Sequence, residues 1–309
     1  MSSDRTILIL GGNSFVGLNL IETLNDQKAL YHTTRSGSEQ EQGQIYFDYN
    51  DQESWDNVTS LKPDVIINCI GYGVLGNQKD ADTTISINYF MASRFYDYLS
   101  KSGFFGQLIH IGSSFEYDME FGAIFEDSRT LPRSIYGISK LMATKFLLET
   151  GLIPGLLVLR PFNLFGPHEH DSRLFPSLIR AQLRNEVMPL TAGTQKRDFI
   201  YVKDFTAFVR HLVVNTPLGP LPRLINVGNG VVFSVREMAD MVADALPDFK
   251  DGLWKWDALP QRAAEGQLFY NASTLAVQYG FRSTEMKTAI KETVEVLSEK
   301  YKKEHVADR

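Results

Sequence analysis

Three polar residues of this chain have the types and spacing to share one proton-transfer site. Tyr136 and Lys140 are four positions apart in Tyr136-Gly137-Ile138-Ser139-Lys140, and on a helix that spacing puts both side chains on one face. A phenol ordinarily loses its proton near pH ~10, and a neighbouring ammonium favours the phenolate. The pair is therefore expected to act as acid or base near neutral pH. Ser113 or Ser114, just beyond Leu108-Ile109-His110-Ile111, can donate a hydrogen bond to a carbonyl or alcohol oxygen. Tyrosine and lysine at this spacing are also common on exposed helix faces, so the surroundings must give the pattern its meaning.

A second constellation points to a dinucleotide. Gly11-Gly12-Asn13-Ser14-Phe15-Val16-Gly17 follows the apolar run Ile7-Leu8-Ile9-Leu10. Glycines at a strand-to-helix turn let backbone N–H groups approach a pyrophosphate at the positive helix end. Ser14 stands where a third glycine is expected, and its hydroxyl can itself contact phosphate. Gly11, Asn13, Ser14, Phe15, Val16 and Gly17 are the candidate contacts; a tight turn without a ligand is the plain alternative. Which cofactor binds depends on Leu30–Arg35. No carboxylate is present there to hold a ribose 2′-hydroxyl, and Thr33-Thr34-Arg35-Ser36 offers hydroxyls and a guanidinium that suit a 2′-phosphate. NADPH is favoured over NAD on that ground. Asp48, after Ile45-Tyr46-Phe47, is placed to meet the adenine amino group.

The frame that positions these residues is legible as well. Apolar runs alternate with helical patterns over the first two-thirds of the chain, as in an α/β fold whose parallel sheet is covered by helices. Ile7–Leu10, Val65–Ile70, Leu108–Ile111 and Leu156–Leu159 read as buried strands. Helices are expected through Val16, Leu20, Ile21 and Leu24, through Ile87, Phe90, Phe95 and Tyr98, and over Ser134–Thr150. Right-handed crossovers gather loops at the strands' C-terminal ends, so ligands belong beyond Leu10, Ile70, Ile111 and Leu159. The expectation is a Rossmann doubly wound parallel sheet over residues 1–162 and a smaller C-terminal α/β substrate lobe over 163–309. A segment near 198–228 is expected to return to the sheet. In the lobe, helices near Arg173–Glu186, Ser234–Leu246 and Glu285–Glu299 and a strand near Phe199–Val202 alternate with loops. Lys300, Lys302 and Lys303 read as a solvated helix end.

Bulk properties narrow the partners. Hydrophobic residues make up 43% and charged residues 22%, an ordinary globular composition. A formal net charge of −6 gives no electrostatic reason to expect nucleic acid or an anionic membrane. Cys69 is the only cysteine, which excludes an internal disulfide and a thiolate metal cluster. His168 and His170, beside Glu169 and Asp171, lack a further ligand at telling spacing, so no metal is expected. No apolar run reaches signal or membrane length, and the cytoplasm is the expected location.

Together, GGNSFVG, HIGSSFEYD, LPRSIYGISK, LRPFNLFGP and GTQKRDFIYVKD resemble an extended short-chain dehydrogenase/reductase of the nucleotide-sugar epimerase, dehydratase and reductase group. The likeness runs nearly end to end. It implies Ser113, Tyr136 and Lys140 as catalytic residues, with Lys140 also binding the nicotinamide ribose. It implies Asn163 and Arg197 at the substrate's diphosphate, with Arg262 a looser match to a second late arginine. A guanidinium's fixed fork of donors suits that role; the alternative for Arg197 is an ion pair with Asp198 or Asp204. Asn88 matches an asparagine that orients backbone and water near the lysine, or is a polar residue on a helix face. A homodimer built through two helices per subunit is implied too.

Within that group, 4,6-dehydratases carry an Asp-Glu pair where this chain has Ser114 and Phe115. Glu116, on extended backbone, would point the other way. Dehydration is not expected, and Ser114 is left as a substrate contact. Ketoreduction and 4-epimerisation need only the three catalytic residues and the cofactor. Arg35 tips the balance toward NADPH-dependent reduction of NDP-4-keto-6-deoxyhexoses, whose reductases SSFEYD and PLTAGTQKRDFIYV also resemble. An NAD-dependent nucleotide-sugar 4-epimerase is the alternative. A non-catalytic dinucleotide sensor is a third, but it has no need of Ser113, Tyr136 and Lys140 together.

Overall fold

Alternation along the buried strands creates two apolar faces. Ile7, Ile9, Val65, Ile67, Ile109, Leu157 and Leu159 enter one core, while Leu8, Leu10, Ile66, Leu108, Leu156 and Val158 enter another. Such a sheet must be covered on both sides, which parallel strands joined by helical crossovers achieve. The computed structural model describes residues 5–35, 43–75, 77–78, 80–215, 221–260 and 266–307, with side chains described as far as residue 304. Seven strands form one parallel sheet in the order Leu224–Val227, Gly155–Pro161, Gln107–Ile111, Val65–Asn68, Ile7–Leu10, Leu30–Thr34, Gln44–Tyr46. The chain winds out to one edge, returns beside its first strand and fills the other edge, as in a Rossmann fold.

Helices Phe15–Thr23 and Val202–Val214 pack together on one face. They are tied by the Thr23 and Thr206 hydroxyls at 2.7 Å and by Arg210 on Asp26. Helices Ala92–Lys101 and Ile135–Thr150 cover the other face. The helix expected through Ile87 and Tyr98 is not uniform. A π-helical turn, Ser86–Met91, interrupts it between Ala81–Ile85 and Ala92–Lys101, and such turns often mark functional positions. The strand that begins at Val65 stops at Asn68, two residues short of the apolar run's end.

The lobe is organised around the strand Lys196–Tyr201. Its first half pairs antiparallel with Val232–Ser234 and parallel with Leu268–Asn271. Its second half pairs with Asn163–Phe165, and Gly122–Ile124 extends the sheet beyond Leu268–Asn271. Helices Leu174–Arg184, Val235–Ala245 and Met286–Ala307 pack around Phe165, Phe175, Met238 and Ile290. The last helix runs past Glu299, and Lys300 is not simply solvated. Its Nζ lies 2.8 Å from Asp171 Oδ1, which also accepts the Tyr301 hydroxyl at 2.8 Å. Among the described residues no helix is long and apolar enough to cross a membrane.

Candidate active site

The glycine turn forms where the first strand meets the first helix. Gly11 adopts φ +79°, and a Cβ on Gly17 would lie 2.2 Å from the Gly11 carbonyl oxygen, so the helix can approach the turn only without a side chain there. Ser14 is the helix N-cap, its Oγ accepting from Gly17 N at 3.1 Å. That leaves the Ser14 hydroxyl proton free to turn outward. Gly11 N donates to Thr33 Oγ1 at 2.9 Å and Asn13 Nδ2 to Thr34 Oγ1 at 3.1 Å. The two threonine hydroxyls, expected at a 2′-phosphate, are thus engaged in holding the turn. Arg35 is exposed at the strand's end, and Ser36 lies outside the described residues. Asp48 follows the edge strand, where its Oδ1 accepts from Asn50 N and Asn50 Nδ2 at 2.8 and 3.1 Å. With a glycine-lined turn at a helix N-terminus and an arginine at the second strand's end, the residues present fit a dinucleotide.

Tyr136 sits in the first turn of its helix because Ser134 caps it, accepting from Gly137 N at 3.1 Å. A Cβ on Gly137 would lie 2.4 Å from the Phe115 carbonyl oxygen, so this helix start packs directly on the turn that carries Ser113. The Ser113 side chain stands close enough to the Tyr136 hydroxyl to favour the phenolate. Burial raises the phenol to about 12, opposed mainly by Ser113; Glu116's charge pushes the same way as burial, and Arg173's opposes it. Lys140 is itself brought down to about 8 by burial, against the charge of Glu116. Lys140, expected to lower the Tyr136 phenol, is not among the groups that do so here; Ser113 and Arg173 are, and burial outweighs them.

Beneath Ser113 lies a residue the sequence reading misplaced. Residues Ser114–Glu116 form a 3-10 turn rather than extended backbone, and Glu116 turns inward, fully buried. Its Oε1 accepts from Ser113 N at 2.8 Å and Thr144 Oγ1 at 3.1 Å. Its Oε2 takes Arg160 Nε at 2.8 Å and Arg160 Nη2 at 2.7 Å. Every carboxylate oxygen is used, so Glu116 positions Ser113 and is not available as a second acid. Ser114 is buried in the same turn, and its neighbour Phe115 takes the position facing the substrate space. Asn88, in the π-helical turn, clamps Tyr72 through both its N–H and its carbonyl and donates to Ser139 Oγ at 2.8 Å. It thereby joins the loop after the Val65–Asn68 strand to the helix of Tyr136.

A cavity of about 710 Å³ opens between sheet and lobe, within the ~300–1,000 Å³ of small-molecule sites. Phe115 belongs to its wall and stands edge-on to Tyr136, with ring centroids 6.3 Å apart. Asn163 and Arg197 share that wall. Asn163 Nδ2 donates to Asp198 O, and Arg197 Nη1 donates to Lys196 O at 2.9 Å. Asp198, weighed as an ion-pair partner of Arg197, accepts from the backbone of Asn229, Gly230 and Asn271, and Asp204 accepts from Thr284. Arg262 lies outside the described residues. His168 Nε2 meets Glu22 at 2.7 Å, His170 Nδ1 meets Ser172, and His110 Nδ1 meets the buried Tyr96 hydroxyl. Among the described residues no group of three or more His, Cys, Asp or Glu could hold a metal.

Comparison with known proteins agrees with this geometry. Residues 7–228 match the model of the NAD dependent epimerase/dehydratase family, and the chain belongs to that family, the extended short-chain dehydrogenase/reductases that act on nucleotide sugars. The chain is 28% identical over 211 residues to the GDP-6-deoxy-D-mannose reductase of Pseudomonas aeruginosa, covering 64% of this chain and 68% of that one. Its fold matches the UDP-glucuronic acid 4-epimerase of Bacillus cereus, solved with UDP-glucuronic acid and NAD, at a TM-score of 0.83 and 20% identity over 96% of this chain and 99% of that one. The protein MoeE5, solved with UDP-glucose and NAD, matches at 0.82 and 23% identity with the same coverage.

Proposed function

We propose that this protein is an NADPH-dependent reductase of the 4-keto group of a nucleotide-linked 6-deoxyhexose. One observation carries the reading: Tyr136 and Ser113 stand together behind the Phe115 wall of the cavity, on a turn whose Glu116 has both carboxylate oxygens taken. Reduction turns a carbonyl oxygen into an alkoxide, which needs a proton. Tyr136 gives it, and Ser113 polarises the oxygen by hydrogen bonding. Lys140, charged below about pH 8, holds the nicotinamide ribose. The dinucleotide supplies the hydride when bound. Gly11, Asn13, Ser14, Phe15, Val16 and Gly17 hold its pyrophosphate, with Arg35 at the 2′-phosphate and Asp48 at the adenine. Asn163 and Arg197, with Arg262, take the substrate's diphosphate. Phe90, 56% exposed, and the exposed Ile135 and Ile138 give the two helices an apolar face that suits a homodimer.

The test is NADPH absorbance with GDP-, dTDP- and UDP-linked 4-keto-6-deoxyhexoses. The reading expects oxidation with one of them, and no consumption with any would sink it. A specific observation favours a second reading, an NAD-dependent 4-epimerase: Thr33 and Thr34 are engaged by the glycine turn, which leaves Arg35 as the argument for NADPH. NAD released from the denatured purified protein, with interconversion of NDP-sugars in the absence of added cofactor, would establish it instead.

A further inference from the structure

On the cavity wall, Glu169 Oε2 and Gln195 Oε1 are buried without a hydrogen-bond partner, and Glu169 is the one that can carry a charge. Glu169 is 3% exposed and lines the cavity on the loop between the strand Asn163–Phe165 and the helix Leu174–Arg184. The loop is set by His168 at φ +64° and by Glu169 N donating to Gly166 O at 3.3 Å. Oε1 accepts from Arg173 Nε at 3.2 Å, while Oε2 is buried with no hydrogen-bond partner. A buried carboxyl oxygen left in that state is costly, and natural structures keep such groups where something else completes them.

Its place along the cavity says what that is. Arg173, its partner, also lines the cavity and is near enough to Tyr136 for its charge to act on the phenol. Glu169 and Arg173 thus line the cavity within electrostatic reach of Tyr136. Resting on the nucleotide-sugar reading, we propose that Glu169 Oε2 binds a hydroxyl of the substrate's sugar ring and is a specificity-determining residue for it. Burial keeps the carboxyl up at about 7 despite Arg173, so near neutrality both its acid and carboxylate forms are present. The acid can donate to a hydroxyl and the carboxylate can accept from one, whereas a sugar carboxylate would be repelled by the charged form.

Calorimetric titration separates the sugar's contribution from the nucleotide's. Dissociation constants for UDP-glucose, GDP-mannose and dTDP-glucose are measured beside those for UDP, GDP and dTDP, using wild type, Glu169→Ala, Glu169→Asp and Glu169→Gln. Wild type is expected to bind one hexose conjugate more tightly than its free diphosphate. Glu169→Ala and Glu169→Asp should lose that difference by about tenfold while keeping the free diphosphate's affinity, and Glu169→Gln should retain most of it. One variant that folds, Ala or Asp, is enough to read the loss. Equal weakening of both ligands, or no change in either, overturns the proposal. Failure of wild type to bind any of the six overturns the nucleotide-sugar reading and this proposal with it.

Discussion

Glu116 and Glu169 are both buried beside an arginine, one under the Ser113 turn and one on the cavity wall, yet their carboxyls are satisfied in opposite ways. Glu116 meets two Arg160 nitrogens, a backbone N–H and the Thr144 hydroxyl. Glu169 meets a single Arg173 nitrogen and leaves one oxygen bare. A fully bonded ion pair fixes a geometry, because removing either partner strands a charge out of reach of water. A half-bonded acid can stay neutral and wait for a partner. The difference maps onto the division of labour proposed here: the sheet side holds the reacting groups rigidly, and the lobe side keeps a position open for what must come and go.

The largest expected effect lies on the rigid side. Tyr136→Phe should lower kcat by roughly 10²–10⁴-fold with dinucleotide affinity unchanged, measured by steady-state kinetics and cofactor titration. Full retention of kcat would remove Tyr136 as the proton donor. Arg160→Met leaves Glu116 uncompensated and should cost about 3–5 kcal/mol in urea unfolding, much of it recovered in the double variant with Glu116→Gln. Arg173→Met should cost about 1 kcal/mol or less, since Glu169 can keep its proton. If the two arginines prove equally important to stability, the contrast between the glutamates is lost.

Titration sharpens the same contrast. Glu169 is raised from 4.5 to about 7, so the folded state holds a proton that the unfolded chain has released. The stability it contributes is complete below pH ~4.5 and is lost as pH rises through about 7. Asp198, raised to about 6 by burial, acts with the same sign. Comparing unfolding of wild type with Glu169→Gln from pH 5 to 7.5 isolates the glutamate; on the order of 2 kcal/mol of the wild-type decline should vanish in the variant. Parallel curves would refute it. The smallest effect concerns Lys140. Dinucleotide affinity should weaken several-fold as pH passes about 8, and Lys140→Met should show weaker binding without that limb.

Much of this was legible in the residues themselves. Continuous apolar runs alternating with helical patterns pointed to the parallel sheet, and the four-residue spacing of Tyr136 and Lys140 placed both on one helix. Other features hid for identifiable reasons. Reading Ser114–Glu116 as extended depended on the strand before it, and the 3-10 turn that replaced it swung Glu116 into the core. A signal for its partner was present: Arg160 ends the apolar run Leu156-Leu157-Val158-Leu159, and a charge at the end of a buried strand requires a counterion. Thr33 and Thr34 read as hydroxyls for a 2′-phosphate, and composition does not show that their oxygens also accept from the glycine turn. Glu169 sat within an acidic and histidine-rich stretch that reads as a solvated or substrate-lining loop, and only tertiary packing shows that it is buried.

The tie between Asp171 and residues 300 and 301 carries a consequence for how the molecule is made. The loop bearing Glu169 is anchored by side chains about 130 positions further along the chain, whereas the glycine turn rests on hydroxyls about 20 positions away. During synthesis the ribosome delivers the near partners long before the distant ones. On the proposed reading, a growing chain holds the residues of its glycine turn together first and completes the Glu169 loop only once the helix Met286–Ala307 emerges and docks.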